Sequence, residues 1–282
     1  MTLAPVIALS HGGGPMPLLN DPNHATITSS LKNRVPKILS LASNPPKAIV
    51  LITAHWTSPQ PTISNSSTHS LLFDYYGFPP ETYELTYPAE GSPSIASEID
   101  AAFKSEGLLP TLDPVRQWDH GVFIPMLLVN PDASVPIVQV SVLQNEDAET
   151  HLRMGRALRK LREENIAIVG SGFASLHSFP AMGKLRNSDK AEREAYKKEF
   201  GNPWNDALTN AVKKASTDWK DLQAWRKLPY ADNFHPPKGG EHFMPLLVCA
   251  GAAVDGEEAK YYKDDYMGQD IYTYYWGGQE VN

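Results

Sequence analysis

Histidine is the residue type in this 282-residue sequence with the clearest potential for chemistry. Five of the nine histidines border apolar runs or small-residue turns: His11, His55, His120, His177 and His242. Three others lie in polar surroundings, where we expect surface or capping positions: His24, His69 and His151. Neutral imidazole binds Zn, Fe, Cu and Ni, and it also titrates near neutrality. The pattern therefore predicts a metal site or, as an alternative, a metal-free acid–base site that pairs a histidine with Asp119.

Three glycines follow the first of these histidines, in LSHGGGP at 9–15. A phosphate-binding P-loop needs a Lys-Ser/Thr pair after its glycines, and a dinucleotide-binding turn needs Gly-x-Gly-x-x-Gly leading into a helix. Here Pro15 and Pro17 follow instead, and proline removes backbone donors that a phosphate would use. The glycines therefore indicate that another group approaches His11 closely.

Short apolar runs alternate with helical patterns along the chain. The runs at 6–10, 48–56, 135–142 and 166–172 are typical of strands covered on both faces. Helical spacing occurs at about 25–42, 93–106 and 147–164, and in two stretches of 191–215 separated at 201–203. Pro36 is expected to kink or split the first helix. This alternation predicts an α/β fold, a single domain over residues 1–282 with a central, mostly parallel sheet flanked by helices.

Several of the predicted strands lead into a candidate histidine. VIALS is followed by His11, IVLITA by His55, and IAIVGSG by His177 after a short loop. Ligands of open α/β sheets gather beyond the carboxyl ends of the strands. We therefore expect these histidines to meet at one edge of the sheet.

Composition excludes several classes of function. The formal net charge of −7 leaves no broad basic face, so we expect no nucleic-acid partner. The sequence has no apolar run of about 18 residues, so we expect no membrane span. Cys249 is the single cysteine, and the N-terminus lacks the pattern of a signal peptide. These features favour a cytoplasmic protein, and they leave its oligomeric state open.

Six motifs together resemble one known family. In chain order they are LSHGGGP, ITAHW, YYGFPPETYELTYPAEGSP, DHGVFIPM, GSGFASLH and EHFMPLLVCAGAA. They cover about residues 5–255, and the GFPPETYELTYPAEGSP block is the most specific. The sequence resembles the DOPA extradiol dioxygenases, which belong to the class III (LigB-type) ring-cleaving dioxygenases, and the resemblance implies a LigB-like fold.

The resemblance also implies roles for individual histidines. His11, His55 and His242 match the family's metal ligands. His177, in the SGxxxxH motif, matches its acid–base histidine and is expected close enough to the metal to be drawn in as a ligand. His120, in DHG, matches a histidine that faces the substrate oxygen. Aromatic and loop residues are further candidates for the substrate pocket: Trp56, Tyr75, Phe78, Phe123 and His235.

Two departures from the family pattern concern the segment around His242. Many class III enzymes complete the metal site with a carboxylate, whereas the matched position here is histidine. Glu241 is adjacent, but neighbouring residues in an extended segment point to opposite sides. The loop HPPKGGEH also carries extra residues between His235 and Glu241, and we expect this loop to reshape the rim of the pocket.

The resemblance implies an Fe(II) enzyme that opens a DOPA-like or related small catechol next to its diol, with O2 as the second substrate. Zinc outcompetes ferrous iron for nitrogen ligands, so the purified protein can carry zinc. Two other functions stay open on the residues alone. One is a zinc-dependent hydrolase in which His177 or Asp119 activates a metal-bound water. The other is a non-catalytic metal-binding or ligand-binding protein with the same fold.

Overall fold

The centre of the molecule is one eight-stranded sheet, seen in a computed structural model that describes residues 3–281. Its strands are β1 Val6–Ser10, β2 Ala48–Ser58, β3 Thr62–Ser64, β4 Thr111–Asp113, β5 Ile137–Leu143, β6 Ile166–Gly172, β7 Lys260–Tyr266 and β8 Gln269–Trp276. They lie in the order β4-β3-β5-β2-β6-β1-β8-β7. The four central strands, β5, β2, β6 and β1, are mutually parallel. The predicted α/β fold with a mostly parallel sheet is confirmed.

Burial explains why these central strands could be recognised in the sequence. Every residue of β1, β5 and β6 is buried, because helices cover both faces of the sheet. Strands covered in this way consist of continuous apolar residues. All four predicted strands are present, and β2 extends two residues past the predicted end at Trp56.

The strands on either side of the central four, β3, β4, β7 and β8, were not predicted. β7 and β8 form an antiparallel pair, and β8 also pairs antiparallel with β1. They are joined at Met267 and Gly268, which both have positive φ values, of 52° and 77°. Two consecutive residues with positive φ form a type I′ turn, the connection that suits the right-handed twist of a hairpin.

Eleven α-helices connect and flank the strands in the described residues. They are α1 Ala25–Asn33, α2 Val35–Ile38, α3 Pro93–Ser105, α4 His120–Val129, α5 Ala148–Glu163, α6 Phe179–Asn187, α7 Lys190–Tyr196, α8 Asn202–Lys213, α9 Lys220–Gln223, α10 Ala231–Phe234 and α11 Met244–Ala252. The predicted split near Pro36 is confirmed, since α1 and α2 are separate helices that meet at Arg34. Crossing a bilayer takes about 20 consecutive apolar residues in a helix, and no helix within residues 3–281 meets that requirement.

The predicted break at 201–203 is wrong. A π-helical turn, Lys197–Gly201, connects α7 directly to α8. Pro203 lies in the first turn of α8. The N–H of the preceding Asn202 bonds back to the Lys197 carbonyl oxygen, and Pro203, which has no N–H, follows where the wider turn ends. The proline therefore starts a helical segment without interrupting the chain of helical turns.

Helices α5 and α11 pack with their backbones in contact. A Cβ atom on Gly155 would lie 1.9 Å from the Val248 carbonyl oxygen, and one on Gly251 would lie 2.0 Å from the Leu152 carbonyl oxygen. Only glycine permits this approach. The close packing holds α11 in place, and α11 begins two residues after His242.

Candidate metal centre and active site

Three histidines from three different elements point their Nε2 atoms at one another. His11 directly follows β1, His55 lies within β2, and His242 lies in the turn before α11. The Nε2 of His55 is 3.2 Å from the Nε2 of His11 and 3.2 Å from the Nε2 of His242. Nitrogens bound tetrahedrally at about 2.0–2.1 Å from one Zn²⁺ lie roughly 3.3 Å apart. The spacing therefore fits a single metal ion.

The Nδ1 atom of each of these rings, on the side away from the other two, faces a side-chain oxygen. The Nδ1 of His11 lies 3.0 Å from Ser171 Oγ, and the Nδ1 of His242 lies 2.9 Å from Glu241 Oε1. The Nδ1 of His55 faces Asp74 Oδ2 at 3.7 Å, beyond direct hydrogen-bond distance. Metal-ligating histidines usually donate their second N–H to such a partner, which fixes the tautomer and leaves the Nε2 lone pair free for the metal.

Burial keeps these imidazoles neutral. It lowers the pKa of His11 and His242 well below the ordinary histidine value, and the neighbouring histidines lower it further. Burial and the charge of His120 lower the pKa of His55 to about 3. Metal ligands must be deprotonated, so the three rings are in the form that binds a cation at neutral pH.

Glu241 lies behind His242 and does not converge with the three Nε2 atoms. Residues 241–243 form a turn, not the extended segment expected from the sequence. The turn brings the Glu241 carboxylate to the Nδ1 of His242, at 2.9 Å, and to the Nδ1 of His177, at 3.5 Å. This arrangement suits a carboxylate that orients a metal ligand.

His177 stacks on His242. Their ring centroids are 3.3 Å apart and the planes differ by 13°. The backbone N–H of His177 donates to the Phe234 carbonyl oxygen at 2.8 Å, which anchors the loop after β6. Burial and the charge of His120 lower the pKa of His177 to about 4. His177 is thus a neutral base beside the three convergent rings.

His120 is held against Asp74, a residue that the sequence analysis did not identify. The Nδ1 and the backbone N–H of His120 lie 2.7 Å and 3.0 Å from Asp74 Oδ1. The His120 ring centroid is 3.8 Å from that of His55. The two partners are 46 residues apart and Asp74 lies in a loop, so no local spacing indicates the pair. Its only sequence signal is its position directly before the specific YYGFPP block.

Asp119 is fully buried, at 0% exposure. It accepts hydrogen bonds from Thr53 Oγ1 at 2.7 Å, Arg116 Nη2 at 2.8 Å and Gln139 Nε2 at 2.6 Å. Both of its oxygens are therefore occupied by donors of the protein. This placement does not support Asp119 as the base of a metal-free site or of a hydrolase.

The aromatic residues expected in the substrate pocket differ in how much of each side chain is exposed. Phe78 is partly exposed and packs on Tyr75, whose hydroxyl donates to the Thr82 carbonyl oxygen at 2.5 Å. Trp56 lies under the Arg116 guanidinium, with 8% of its surface exposed. Phe123 has no exposed surface and packs on Phe73 and Tyr75. The contact between Phe123 and a substrate therefore stays a prediction that this geometry does not support.

His235 is also fully buried. Its ring packs against Trp225 and Phe243, and its Nε2 donates to the Ala174 carbonyl oxygen at 2.8 Å. In this position it links two loops beneath the site. The expected contact between His235 and a substrate has no geometric support either.

Phe179 is an aromatic residue at the site that the sequence analysis did not name. It is the first residue of α6, its side chain is 76% exposed, and its ring centroid lies 5.4 Å from that of His177. The Ser178 side chain caps this helix through the Ala181 N–H. An exposed ring on a capped helix start offers a fixed apolar surface beside His177.

We expected His24 and His151 in surface or capping positions, and neither lies at the surface, since both are buried. His24 Nε2 accepts from the Gly13 N–H at 3.0 Å, and its Nδ1 pairs with Asp21 at 2.6 Å. His151 Nε2 accepts from the Leu143 N–H. Both rings satisfy backbone donors that would otherwise be buried without a partner.

The triple glycine makes room for His24 and for Pro17. Gly12 has φ of +86°, and a Cβ atom there would lie 2.6 Å from Pro17 and 3.0 Å from His24. The glycines therefore shape the turn directly after His11, and the groups that approach closely, Pro17 and His24, do so at Gly12.

Comparisons with known proteins identify the family to which the chain belongs. The family described as the catalytic LigB subunit of aromatic ring-opening dioxygenase matches residues 5–274. The chain belongs to this family of dioxygenases. It is 59% identical to a protein from Hapsidospora irregularis named Dioxygenase tasH, over 100% of this chain and 88% of the relative. It is 32% identical to a 4,5-DOPA dioxygenase extradiol from Beta vulgaris, over 77% of each chain.

A solved structure confirms the fold. The crystal structure of an uncharacterised protein from Escherichia coli K12 matches with a TM-score of 0.72, covering 97% of this chain and 100% of that one at 23% identity. At this identity the match carries the fold alone.

Proposed function

We propose that this protein is an extradiol dioxygenase that opens the ring of a small catechol with O2 at a non-haem Fe(II) centre. The observation that carries the proposal is the convergence of three neutral imidazoles, in which the Nε2 of His55 lies 3.2 Å from the Nε2 of His11 and 3.2 Å from that of His242. Membership of an aromatic ring-opening family and the names of the relatives support the choice of reaction.

The residues that would hold the metal are His11, His55 and His242. When bound there, a ferrous ion supplies positions for the two diol oxygens and for O2, and a path for electrons between the ring and O2. Ser171 and Glu241 keep the His11 and His242 rings oriented, and Asp74 faces the His55 ring at 3.7 Å. Because all three ligands are neutral, the site has no ligand charge that offsets the charge of the metal.

His177 and His120 would handle the protons. With a pKa of about 4, His177 is neutral at pH 7 and accepts the proton of a catechol hydroxyl. As a general acid, it then donates that proton to the oxygen atom that becomes protonated as the ring opens. The bond from His120 Nδ1 to Asp74 leaves His120 Nε2 to face a substrate oxygen. Phe179 and Phe78 offer apolar surface for the substrate ring.

The chemistry of the ligands also bears on which metal is isolated with the protein. Nitrogen ligands bind Zn²⁺ more tightly than Fe²⁺. We therefore expect a preparation to contain zinc unless iron is supplied, and we expect the zinc form to be inert toward O2.

The deciding experiment is anaerobic reconstitution of metal-free protein with Fe²⁺, followed by air and a panel of catechols. We expect a yellow ring-opened product whose mass equals the catechol plus O2, and we expect none from the zinc form. The position of cleavage in each product identifies the bond. Hydrolysis of esters or amides by the zinc form would support a zinc hydrolase. Metal binding without either reaction would support a non-catalytic protein. Either result overturns the proposed function.

A further inference from the structure

The loop 235–240, which leads to Glu241 and His242, is tied to the body of the molecule by two charged residues. The Gly240 N–H donates to Glu146 Oε1 at 2.8 Å, and the Arg226 guanidinium pairs with Glu146 Oε2 at 2.6 Å. Arg226 also donates to the carbonyl oxygens of His235 and Pro236. Both ends of this loop are therefore bound to one ion pair.

Ring contacts hold the residue that follows His242. The Arg226 guanidinium lies 4.0 Å above the ring centroid of Trp225. Trp225 in turn stacks on Phe243, with centroids 4.2 Å apart and planes 20° apart. Trp225 and Phe243 are 2% and 0% exposed. Phe243 directly follows His242, so the residues on both sides of the Glu241–His242 pair contact the same unit.

The loop packs tightly against the ion pair at Gly240. A Cβ atom on Gly240 would lie 2.7 Å from Arg226 Nη2 and 2.7 Å from Glu146 Oε2, so the loop approaches the ion pair as closely as glycine permits. Glu146 itself has φ of +52°, a conformation that residues other than glycine rarely adopt. Such backbone geometry persists when the surrounding contacts enforce it.

We propose that Glu146, Arg226 and Trp225 form a clamp that positions the metal ligand His242 and its partner Glu241, and that this clamp sets the metal affinity of the site. The inference rests on the metal centre of the proposed function. The clamp residues do not touch the site themselves. They act through Gly240 and Phe243, the residues on either side of the Glu241–His242 pair.

The test is metal binding by Glu146→Gln and Arg226→Lys. In Glu146→Gln the amide NH2 faces either Arg226 or the Gly240 N–H, and all of these groups are donors. In Arg226→Lys the single ammonium lacks the guanidinium fork that bonds both the carboxylate and the loop carbonyls. We expect the dissociation constant for Zn²⁺, measured by chelator competition, to rise about tenfold or more in each variant, the scale seen when outer partners of metal ligands are lost. The visible spectrum of Co²⁺-loaded protein should change as well, because it reports ligand geometry.

Glu106→Gln is the matched control, since Glu106 pairs with Arg156 at 2.7 Å on the surface and contacts no residue of the site. Its Zn²⁺ affinity and Co²⁺ spectrum should equal those of the wild type. If both clamp variants keep wild-type affinity and spectrum, the inference is overturned, even if their melting temperatures fall. Catechol cleavage is measured separately. A wild type that binds Zn²⁺ tightly but cleaves no catechol after iron loading overturns the proposed reaction only.

Discussion

At the scale of single residues, the contacts of the ring nitrogens distinguish the three convergent histidines from His177. His11, His55 and His242 direct their Nε2 atoms toward one another, and the Nδ1 atoms of His11 and His242 bond to Ser171 and Glu241. His177 stacks beside this group and is not one of the three convergent rings. This difference predicts that stacked neighbours, His177 and His242, respond differently to the same substitution.

The first prediction compares His177→Ala with His242→Ala. The first variant should keep bound metal, because three ligands remain, while turnover falls about a hundredfold, the scale of a lost general acid–base group. The second should lose metal first and activity as a consequence. Metal content per chain is measured beside the rate for both. If His177→Ala empties the site while His242→Ala leaves it full, the two roles are reversed. A normal rate in His177→Ala would contradict the proposed mechanism.

The second prediction concerns Asp74, whose carboxylate holds both donors of His120. Asp74→Ala frees the His120 ring to turn, so kcat should fall about tenfold or more. The dissociation constant for Zn²⁺ should rise by less, because the Asp74 oxygen nearest His55 Nδ1 lies at 3.7 Å, beyond hydrogen-bond distance. Asp74→Asn retains the Oδ1 acceptor and should recover part of the rate. Asp100→Ala, which removes a surface partner of Lys104, is the control. Equal kcat in the wild type and Asp74→Ala would show that His120 needs no such support.

At the scale of elements, the strand ends deliver histidines and the turns after them fix their direction. The turn after β1 needs glycine at position 12, where φ is positive and a Cβ atom would meet Pro17. A glycine in the middle of a helix has the opposite requirement, because alanine is the better helix former. Gly183 in α6 is such a residue, and nothing lies within 4 Å of the place its Cβ atom would take.

The third prediction follows from this contrast. Gly12→Ala should lower the free energy of unfolding by about 1–3 kcal/mol, because it adds backbone strain and a clash. It should also weaken Zn²⁺ binding, since His11 precedes the strained residue. Gly183→Ala should raise the free energy of unfolding by about 0.5–1 kcal/mol without changing metal affinity. Urea unfolding of the metal-free proteins measures both. Equal stability of the Gly12→Ala variant and the wild type would refute the assigned strain.

At the scale of the whole molecule, buried neutral histidines make stability depend on pH. Burial lowers the pKa of His55 and His235 to about 3 and that of His151 and His177 to about 4, from 6.5 in the unfolded chain. Between these values the unfolded chain binds more protons than the folded one, so stability falls as the pH falls. The stability that these groups supply is complete above about pH 6.5 and is lost toward pH 4 and below.

The fourth prediction applies to the metal-free protein. Its free energy of unfolding should fall by at least about 1.4 kcal/mol per pH unit below pH 6, the slope for a single proton. Zn²⁺ at neutral pH should raise the stability, because only the folded chain presents the convergent site. Urea unfolding at a series of pH values tests both statements. A flat profile between pH 6 and pH 4 would contradict the neutral state of these rings.

The sequence by itself determined the central sheet and the origin of the site. Burial on both faces forces strands such as Val6–Ser10 to be apolar throughout, and this pattern is local and readable. Parallel strands end at one edge of a sheet, so His11, His55 and His177 could be expected together. The place of His242 and the roles of the individual histidines rested on resemblance, because no regular spacing links these residues.

Only the tertiary structure decided which residues support these histidines. Asp74 meets His120 across 46 residues, and Glu146 meets Gly240 across 94. His24, expected in a surface or capping position, is buried and accepts from the Gly13 N–H. Such contacts join loops whose positions depend on the packing of the elements between them, and loops carry no periodic pattern of burial. Residue spacing along the chain therefore cannot reveal these contacts. The strands can be predicted, because burial from water and the geometry of the backbone determine the type of residue at each position locally.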